Sequence, residues 1–343
     1  MSKLRLGELF AGYGGLGLAV EEVFGAELAW VSEWEAAPSK ILAHHWPSIP
    51  NHGDLTKIDW AAIEPVDIIS GGFPCQDLSL AGKQRGMGKG TRSGLWANML
   101  EGIETIQPRY VVAENVRGLL SGTAHSDVEP CPWCLGTDGG KPNLRALGAV
   151  LGDLADIGFN AEWRGLRASD VGAPHNRFRV FLVAENTNSA AWRERRVTAP
   201  GKEESRGSRA DARGRAGAPV AAHAGRLGLE AGRLPSRPAQ EVTEHHNSFR
   251  VLREYAPAVR RWEQVTRPAP APAFYVPGKD KGTINTAFVE WMMGLPAGHV
   301  TDPAIGLSRG DQLKALGNGV VPQQATAALR DMLAAFNTKE VAA

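Results

Sequence analysis

Over its first 185 positions the chain alternates short, β-rich apolar runs with longer stretches whose apolar residues recur every three or four positions. The runs Leu4 to Phe10, Glu27 to Glu33, Val66 to Gly71, Tyr110 to Glu114 and Arg179 to Ala184 predict strands. Leu144, Leu147, Val150, Leu151, Leu154 and Ile157 fall at helical spacing, with Asn143 placed to cap the start and Gly158 to stop the helix. Strands interleaved with helical stretches predict an α/β fold, a doubly wound and mostly parallel sheet. At Asn186 this pattern lapses into a stretch dominated by Ala, Gly, Arg, Ser and Pro. It resumes near Phe249, where Leu252, Tyr255, Val259 and Trp262 predict a helix, followed by a proline-rich stretch from Pro268 to Pro277. Ala325, Ala328, Leu329, Met332, Leu333 and Phe336 then trace one apolar face of a closing helix.

Composition narrows the class. The chain has 343 residues, of which 43% are hydrophobic and 22% charged, with a formal net charge of +1; that is material for roughly two globular domains. No run approaches the ~18 apolar residues of a membrane span, and Met1 to Leu9 lacks the apolar stretch of a signal peptide, so a cytoplasmic protein with no membrane partner is expected. Three cysteines, Cys75, Cys131 and Cys134, give no disulfide framework. A balanced total charge means that any nucleic-acid surface has to come from local concentration. Between 186 and 237 there are eleven Lys or Arg against five Asp or Glu, a local net charge of +6. Both a solvated basic linker and a DNA-contacting segment fit that count.

The first strand runs into Gly12-Tyr13-Gly14-Gly15-Leu16-Gly17, a G-x-G-x-x-G opening a helix, where bare backbone lets a ligand approach the helix N-terminus. Glu33 follows about twenty residues on, placed to hydrogen-bond a ribose diol, which points to an adenosine-containing cofactor. Gly71-Gly72-Phe73-Pro74-Cys75-Gln76 puts a thiol just beyond the C-terminal edge of a strand, and Ala113-Glu114-Asn115-Val116 delivers a carboxylate to that same edge. Arg177 and Arg179, two apart, share one face of an extended segment and suit an anion or a carbonyl oxygen. Ala315 to Pro322 reads equally as a tight turn ahead of a helix or as a helix cap. Cys131-Pro132-Trp133-Cys134 has the spacing of half a zinc site, with only His125 near it, so a surface loop is expected and no metal.

Taken in order, these segments resemble the DNA (cytosine-5) methyltransferase family. The likeness rests on Phe-Ala-Gly-x-Gly-Gly at Phe10 to Gly15, Gly53-Asp54, Pro-Cys-Gln at Pro74 to Gln76, Glu-Asn-Val at Glu114 to Val116, Arg177-x-Arg179, and Gly317-Asn318-Gly319-Val320-Val321. It covers residues 1 to 185 and 284 to 335. The resemblance implies a catalytic unit over 1–185, completed by 305–343. It implies a smaller target-recognition domain over 186–304, in which 186–248 has the composition of a flexible segment.

The resemblance also implies S-adenosylmethionine as cofactor, lying against Phe10, Ala11, Gly12, Gly14, Gly15 and Leu16. Glu33 would then sit on its ribose, Asp54 near its adenine amino group with Leu55 beside it, and Phe10 and Trp34 would form aromatic walls. Phe73, Pro74 and Leu95 would contribute further lining, and Asn318, Gly319 and Val320 would close the pocket. Cys75 is cast as the nucleophile, Glu114 as the group that engages N3 of cytosine, and Arg177 with Arg179 as ligands of a flipped nucleotide. Because C5 of cytosine is a poor nucleophile, a thiolate has to add to C6 first. A carboxyl that donates at N3 near neutral pH requires a raised pKa. Double-stranded DNA is the implied partner, the chain acting as a monomer, with a restriction endonuclease as a further partner that the sequence does not specify.

Three positions depart from the family pattern: His175 stands where Gln is usual, Leu78 replaces an aromatic residue, and Phe288 to Pro296 follows its motif loosely. Two other functions fit part of the pattern. One is a catalytically silent DNA-binding protein of the same fold. The other is an NAD-dependent dehydrogenase, which leaves Pro-Cys-Gln and Glu-Asn-Val without a role.

Overall fold

The computed structural model describes residues 3–73, 94–121, 123–124, 144–187, 255–274 and 283–342. Its centre is a six-stranded sheet built from β1 (Arg5–Leu9), β2 (Glu27–Ser32), β3 (Ile68–Gly71), β4 (Tyr110–Val116), β7 (Phe159–Arg167) and β8 (Phe178–Asn186), in the order β2-β1-β3-β4-β8-β7. The pairs β1–β2, β1–β3 and β3–β4 are parallel; β4–β8 and β7–β8 are antiparallel. Two further pairs of two residues each, β5 (Thr123–Ala124) with β6 (Leu144–Arg145) and β9 (Ala273–Phe274) with β10 (Thr283–Ile284), lie outside it.

Period-two alternation sorts the sheet's side chains into two apolar layers. Val111 and Ala113 of β4 and Val180, Leu182 and Ala184 of β8 face one layer, whereas Val112, Phe181 and Val183 face the other. The first layer is completed by Trp96, Met99 and Ile103 of α3 (Gly94–Ile106) and by Leu147, Val150 and Leu154 of α5 (Ala146–Asp156); α4 (Gly118–Ser121) follows β4. Leu16, Ala19 and Val20 of α1 (Gly15–Phe24) and Ala325, Ala328, Leu329 and Met332 of α9 (Pro322–Ala342) complete the second. Helices on both faces explain why β3 is buried throughout. Leu6, Leu9, Ile68 and Ile69 are fully buried, each contributing about 1.5–3 kcal/mol.

A third apolar cluster joins Val259 and Trp262 of α6 (Ala256–Val265) and Phe288 and Trp291 of α7 (Thr286–Met292) to Tyr13, to Ile41 of α2 (Ala36–His45), and to Ala315 and Leu316 of α8 (Arg309–Asn318). Two indole N–H groups lock it: Trp262 Nε1 donates to the Trp291 carbonyl at 2.8 Å and Trp291 Nε1 donates to that of Arg267 at 2.8 Å.

Sequence and structure part company at particular places. β7 escapes the pattern because it is an edge strand that carries the polar Asn160, Glu162, Arg164 and Arg167 and buries only Phe159 fully, the rest being half-buried or exposed. Tyr255 does not join the apolar face of α6; it is exposed, and the helix opens beyond it with Pro257 in the first turn, where the missing N–H costs nothing. Gly158, φ +87°, closes the 146–156 helix as expected. Asn143, Leu252 and the basic stretch beyond Thr187 lie outside the described residues. Among the described residues, no helix is long and apolar enough to cross a membrane.

Candidate active site at the carboxyl edge of the sheet

β1 ends in a sharp turn. Phe10, φ +53°, holds a left-handed conformation that costs a non-glycine residue about 1–3 kcal/mol, and Gly12 and Gly14 follow at +57° and +82°. The Gly12 N–H donates to Glu33 Oε2 at 2.9 Å, and the Glu35 N–H donates to Oε1 at 2.8 Å. Glu33 is buried, and burial lifts its pKa against these two donors. A carboxylate offers about four acceptor sites, so capacity for a diol is left. Asn51, which the sequence reading passed over, fixes Glu33 from behind. Its Oδ1 accepts from the Glu33 and Gly53 N–H groups at 3.0 Å each, and its Nδ2 donates to the Glu33 carbonyl at 3.0 Å.

The remaining residues expected to line a cofactor site divide into two groups. Trp34 is 73% exposed, a free aromatic face beside Glu33. Asp54 caps a single 3-10 turn, accepting from Thr56 N–H and Oγ1 at 3.1 and 2.8 Å, with Lys57 Nζ at 3.3 Å, and these contacts hold its carboxyl below the usual range. Ala11 and Leu16 are buried in the second layer, while Leu55 and Phe73 belong to the first and Leu95 packs against it. Asn318 is exposed at the end of α8, ahead of Gly319 and buried Val320.

Next to this loop, β4 carries Glu114 and Asn115 to the edge of the sheet. Asn115 Nδ2 donates to the Phe73 carbonyl at 2.9 Å, pinning the segment that leads to Pro74 and Cys75, which lie outside the described residues, as do Leu78, His125, Cys131 and Cys134. Glu114 Oε1 lies 2.6 Å from Arg179 Nε, both side chains being largely buried. The contact is Coulombic rather than an aligned hydrogen bond, and Oε1 keeps an unmet acceptor. Burial raises the Glu114 pKa, and Arg179 and Arg177 pull it back only in part. The direction is the one a proton donor needs. Arg179 Nη1 also donates to the Phe178 carbonyl at 2.8 Å.

Arg177 is turned elsewhere. Its Nη1 donates to the Gly317 carbonyl and its Nη2 to that of Gly319, each at 2.7 Å, so the guanidinium grips the C-terminal turn. His175 Nε2 lies 3.0 Å from the Met292 carbonyl, which requires its N–H form and ties the arginine strand to the end of α7. Burial, with help from both arginines, lowers its pKa and keeps it neutral near pH 7.

A family model described as C-5 cytosine-specific DNA methylase matches residues 4–212, well over half of the chain. The chain belongs to the C-5 cytosine-specific DNA methylase family. Among relatives, a type II methyltransferase of Neisseria lactamica, M.NlaIV, is 30% identical over 188 residues, covering 53% of this chain and 41% of that protein. M.NgoBI of Neisseria gonorrhoeae is 32% identical over 181 residues, covering 53% of this chain and 50% of that protein. The chain thus spans about half or less of the length of the relatives it matches. In fold it is similar to the S. pombe Dnmt2 methyltransferase, with TM-score 0.55 and 14% identity over 94% of this chain and 96% of the other.

Seen within this C-5 cytosine-specific methylase, Glu8 is a residue the sequence reading missed. It sits mid-strand in β1, 1% exposed, accepting from the Gly17 N–H at 2.8 Å while its Oε2 has no partner. A charged residue inside a buried strand was the available signal. Burial pushes its pKa up to about 8, so it holds a proton at neutral pH. An acid whose folded pKa exceeds its unfolded value of about 4.5 binds more protons when folded, and stability falls as pH rises between the two. Urea titrations at pH 6 and pH 9 should show the parent losing a few kcal/mol relative to Glu8→Gln. Equal slopes in the two proteins would show that Glu8 does not titrate in this range.

Proposed function

We propose that this chain transfers a methyl group to C5 of a cytosine turned out of duplex DNA. The observation that carries the reading is the buried Glu114–Arg179 pair, at 2.6 Å, which joins β8 to β4, the strand next to the one that runs on toward Cys75. An ordinary Glu is protonated about one time in 500 at pH 7; burial raises that fraction while Arg179 orients the carboxyl. In this reading the Cys75 thiolate forms a bond to C6, the C5=C6 pair shifts to C4=C5 as the C4=N3 pair takes the Glu114 proton at N3, and C5 becomes nucleophilic. Once C5 carries the methyl, loss of its proton and departure of the Cys75 thiolate from C6 restore the ring. A free thiol with a pKa of ~8.5 is a few per cent thiolate at pH 7, and the guanidinium of Arg179 favours the anion.

The residues around the first loop fit S-adenosylmethionine. The Gly12 N–H donates to the Glu33 carboxylate, the Gly53 N–H shares Asn51 Oδ1 with the Glu33 N–H, and the next residue, Trp34, is exposed. Glu33 and Trp34 would hold the nucleoside, and the bound cofactor supplies an electrophilic methyl. Taking a base out of the stack costs a few kcal/mol, which phosphate contacts from the basic stretch within 186–304 would offset. We assign target recognition to that span and place the reaction in the cytoplasm.

Incubation with unmethylated duplex DNA and S-adenosylmethionine, followed by base-resolved sequencing, should show 5-methylcytosine in one short recurring context. Cys75→Ala should abolish it. Modified cytosine formed equally by the alanine variant would remove Cys75 from the reaction, and DNA binding without any methylation would favour the silent DNA-binding protein.

A further inference from the structure

One ring ties the two ends of this site together. Tyr13, the variable position between Gly12 and Gly14, is 1% exposed, and its hydroxyl donates to the Val320 carbonyl at 2.6 Å across 307 residues of sequence. Glycines flank it on both sides. A Cβ added to Gly319 would lie 1.9 Å from Tyr13 Cε1, and one added to Gly15 would lie 2.6 Å from Cε2 and 2.5 Å from the Val320 carbonyl. The Tyr13 carbonyl in turn accepts from His299 Nε2 at 2.8 Å, and the His299 ring stacks on His45 at 4.3 Å, 9° from parallel. Burial keeps the phenol protonated, so it remains a donor.

We infer that Tyr13 is a positioning residue for the cofactor, a latch that fixes the first glycine loop against the Gly317–Val321 turn. The inference rests on the cofactor reading proposed above. Arg177 grips the outer side of the same turn through the Gly317 and Gly319 carbonyls, so the turn is held from two directions and only the inner hold passes through the loop. The Tyr13 hydroxyl donates its proton to the Val320 carbonyl and not to the Glu114–Arg179 pair, so losing it should act on cofactor affinity and leave the rate at saturation unchanged.

Tyr13→Phe keeps the ring between the two glycines and removes one hydrogen bond. Calorimetry should show S-adenosylmethionine binding weakened about three- to tenfold, the range expected for one such bond. The KM for the cofactor should rise in step, with kcat and the KM for DNA unchanged. Hydrogen exchange of the unliganded protein should be faster in 315–321 than the small fall in the unfolding midpoint accounts for, with the rest of the sheet following that fall. Unchanged affinity and exchange in Tyr13→Phe, beside a wild type that binds, would overturn the latch alone. A fall in kcat at constant KM would overturn it as well. A wild-type chain that takes up no S-adenosylmethionine would strike the cofactor reading and, with it, the role given to Tyr13.

Discussion

Glu114→Gln should lower the rate of methyl transfer to duplex DNA by about 10²–10⁴-fold, the range over which a positioned proton donor accelerates a reaction. The amide keeps the volume of the carboxyl and an oxygen for Arg179, so the local packing stays. What it loses is an acidic proton to give to N3, and without that proton the negative charge arriving with the Cys75 thiolate has no sink. Affinity for S-adenosylmethionine should stay within about twofold, because Glu114 faces Gly72 and the arginine strand rather than Glu33; a Cβ on Gly72 would sit 3.1 Å from Glu114 Oε2. Steady-state assays with labelled cofactor decide the matter. Parent-like turnover in Glu114→Gln would leave the carboxyl without a chemical role.

The largest effect on stability is expected in the Phe288 to Pro296 stretch, away from the reacting groups. Glu290 is completely buried in α7, its Oε1 accepting from the N–H groups of Val300 and Thr301 at 2.7 and 3.0 Å. Its Oε2 accepts from Gly298 N–H at 2.9 Å and Thr301 Oγ1 at 3.1 Å, with Arg267 Nη2 at 3.6 Å. Glu290→Gln would turn an amide donor toward the Gly298 N–H, which can only donate, and would leave Arg267 without its counter-charge. Stripping the partner from a buried charge costs about 3–5 kcal/mol, and the orphaned Gly298 N–H costs about 1–3 kcal/mol more. Urea unfolding should therefore show a loss of at least about 3 kcal/mol, with cofactor binding weakened too, since the 298–301 turn carries His299 to the Tyr13 carbonyl. A loss under about 1 kcal/mol would mean that the turn holds itself without the carboxylate.

What could be read from the chain follows from where the information sits. β3 and the Tyr110–Ala113 half of β4 are largely buried and stand out as runs rich in Ile, Val and Ala, and the glycine loop and Glu33 lie about twenty residues apart, a spacing that the strand–helix–strand unit dictates. The sequence also showed Asn115 in its motif, but not that its amide would hold the Phe73 carbonyl 42 residues away. Glu8, Tyr13, Glu290 and His299 stayed hidden for a related reason. Their partners are backbone groups, which every residue possesses and no composition betrays, and two of the bonds span 286 and 307 positions. β7 was lost because a half-solvated edge strand alternates polar residues that resemble a loop. Arg177 and Arg179 look equivalent on paper. Their division of labour, one on the C-terminal turn and one on Glu114, is decided by which way each side chain leaves β8 and its approach.

The distance between Tyr13 and Val320 also bears on how the protein is made. Ribosomes add about 5–20 residues per second, so the two halves of this latch emerge roughly 15–60 s apart. Throughout that interval the nascent chain displays a glycine loop with its facing turn still unmade. The hold of the first loop on its facing turn can therefore form only once Val320 has been added, and a chain interrupted anywhere between those two residues lacks it.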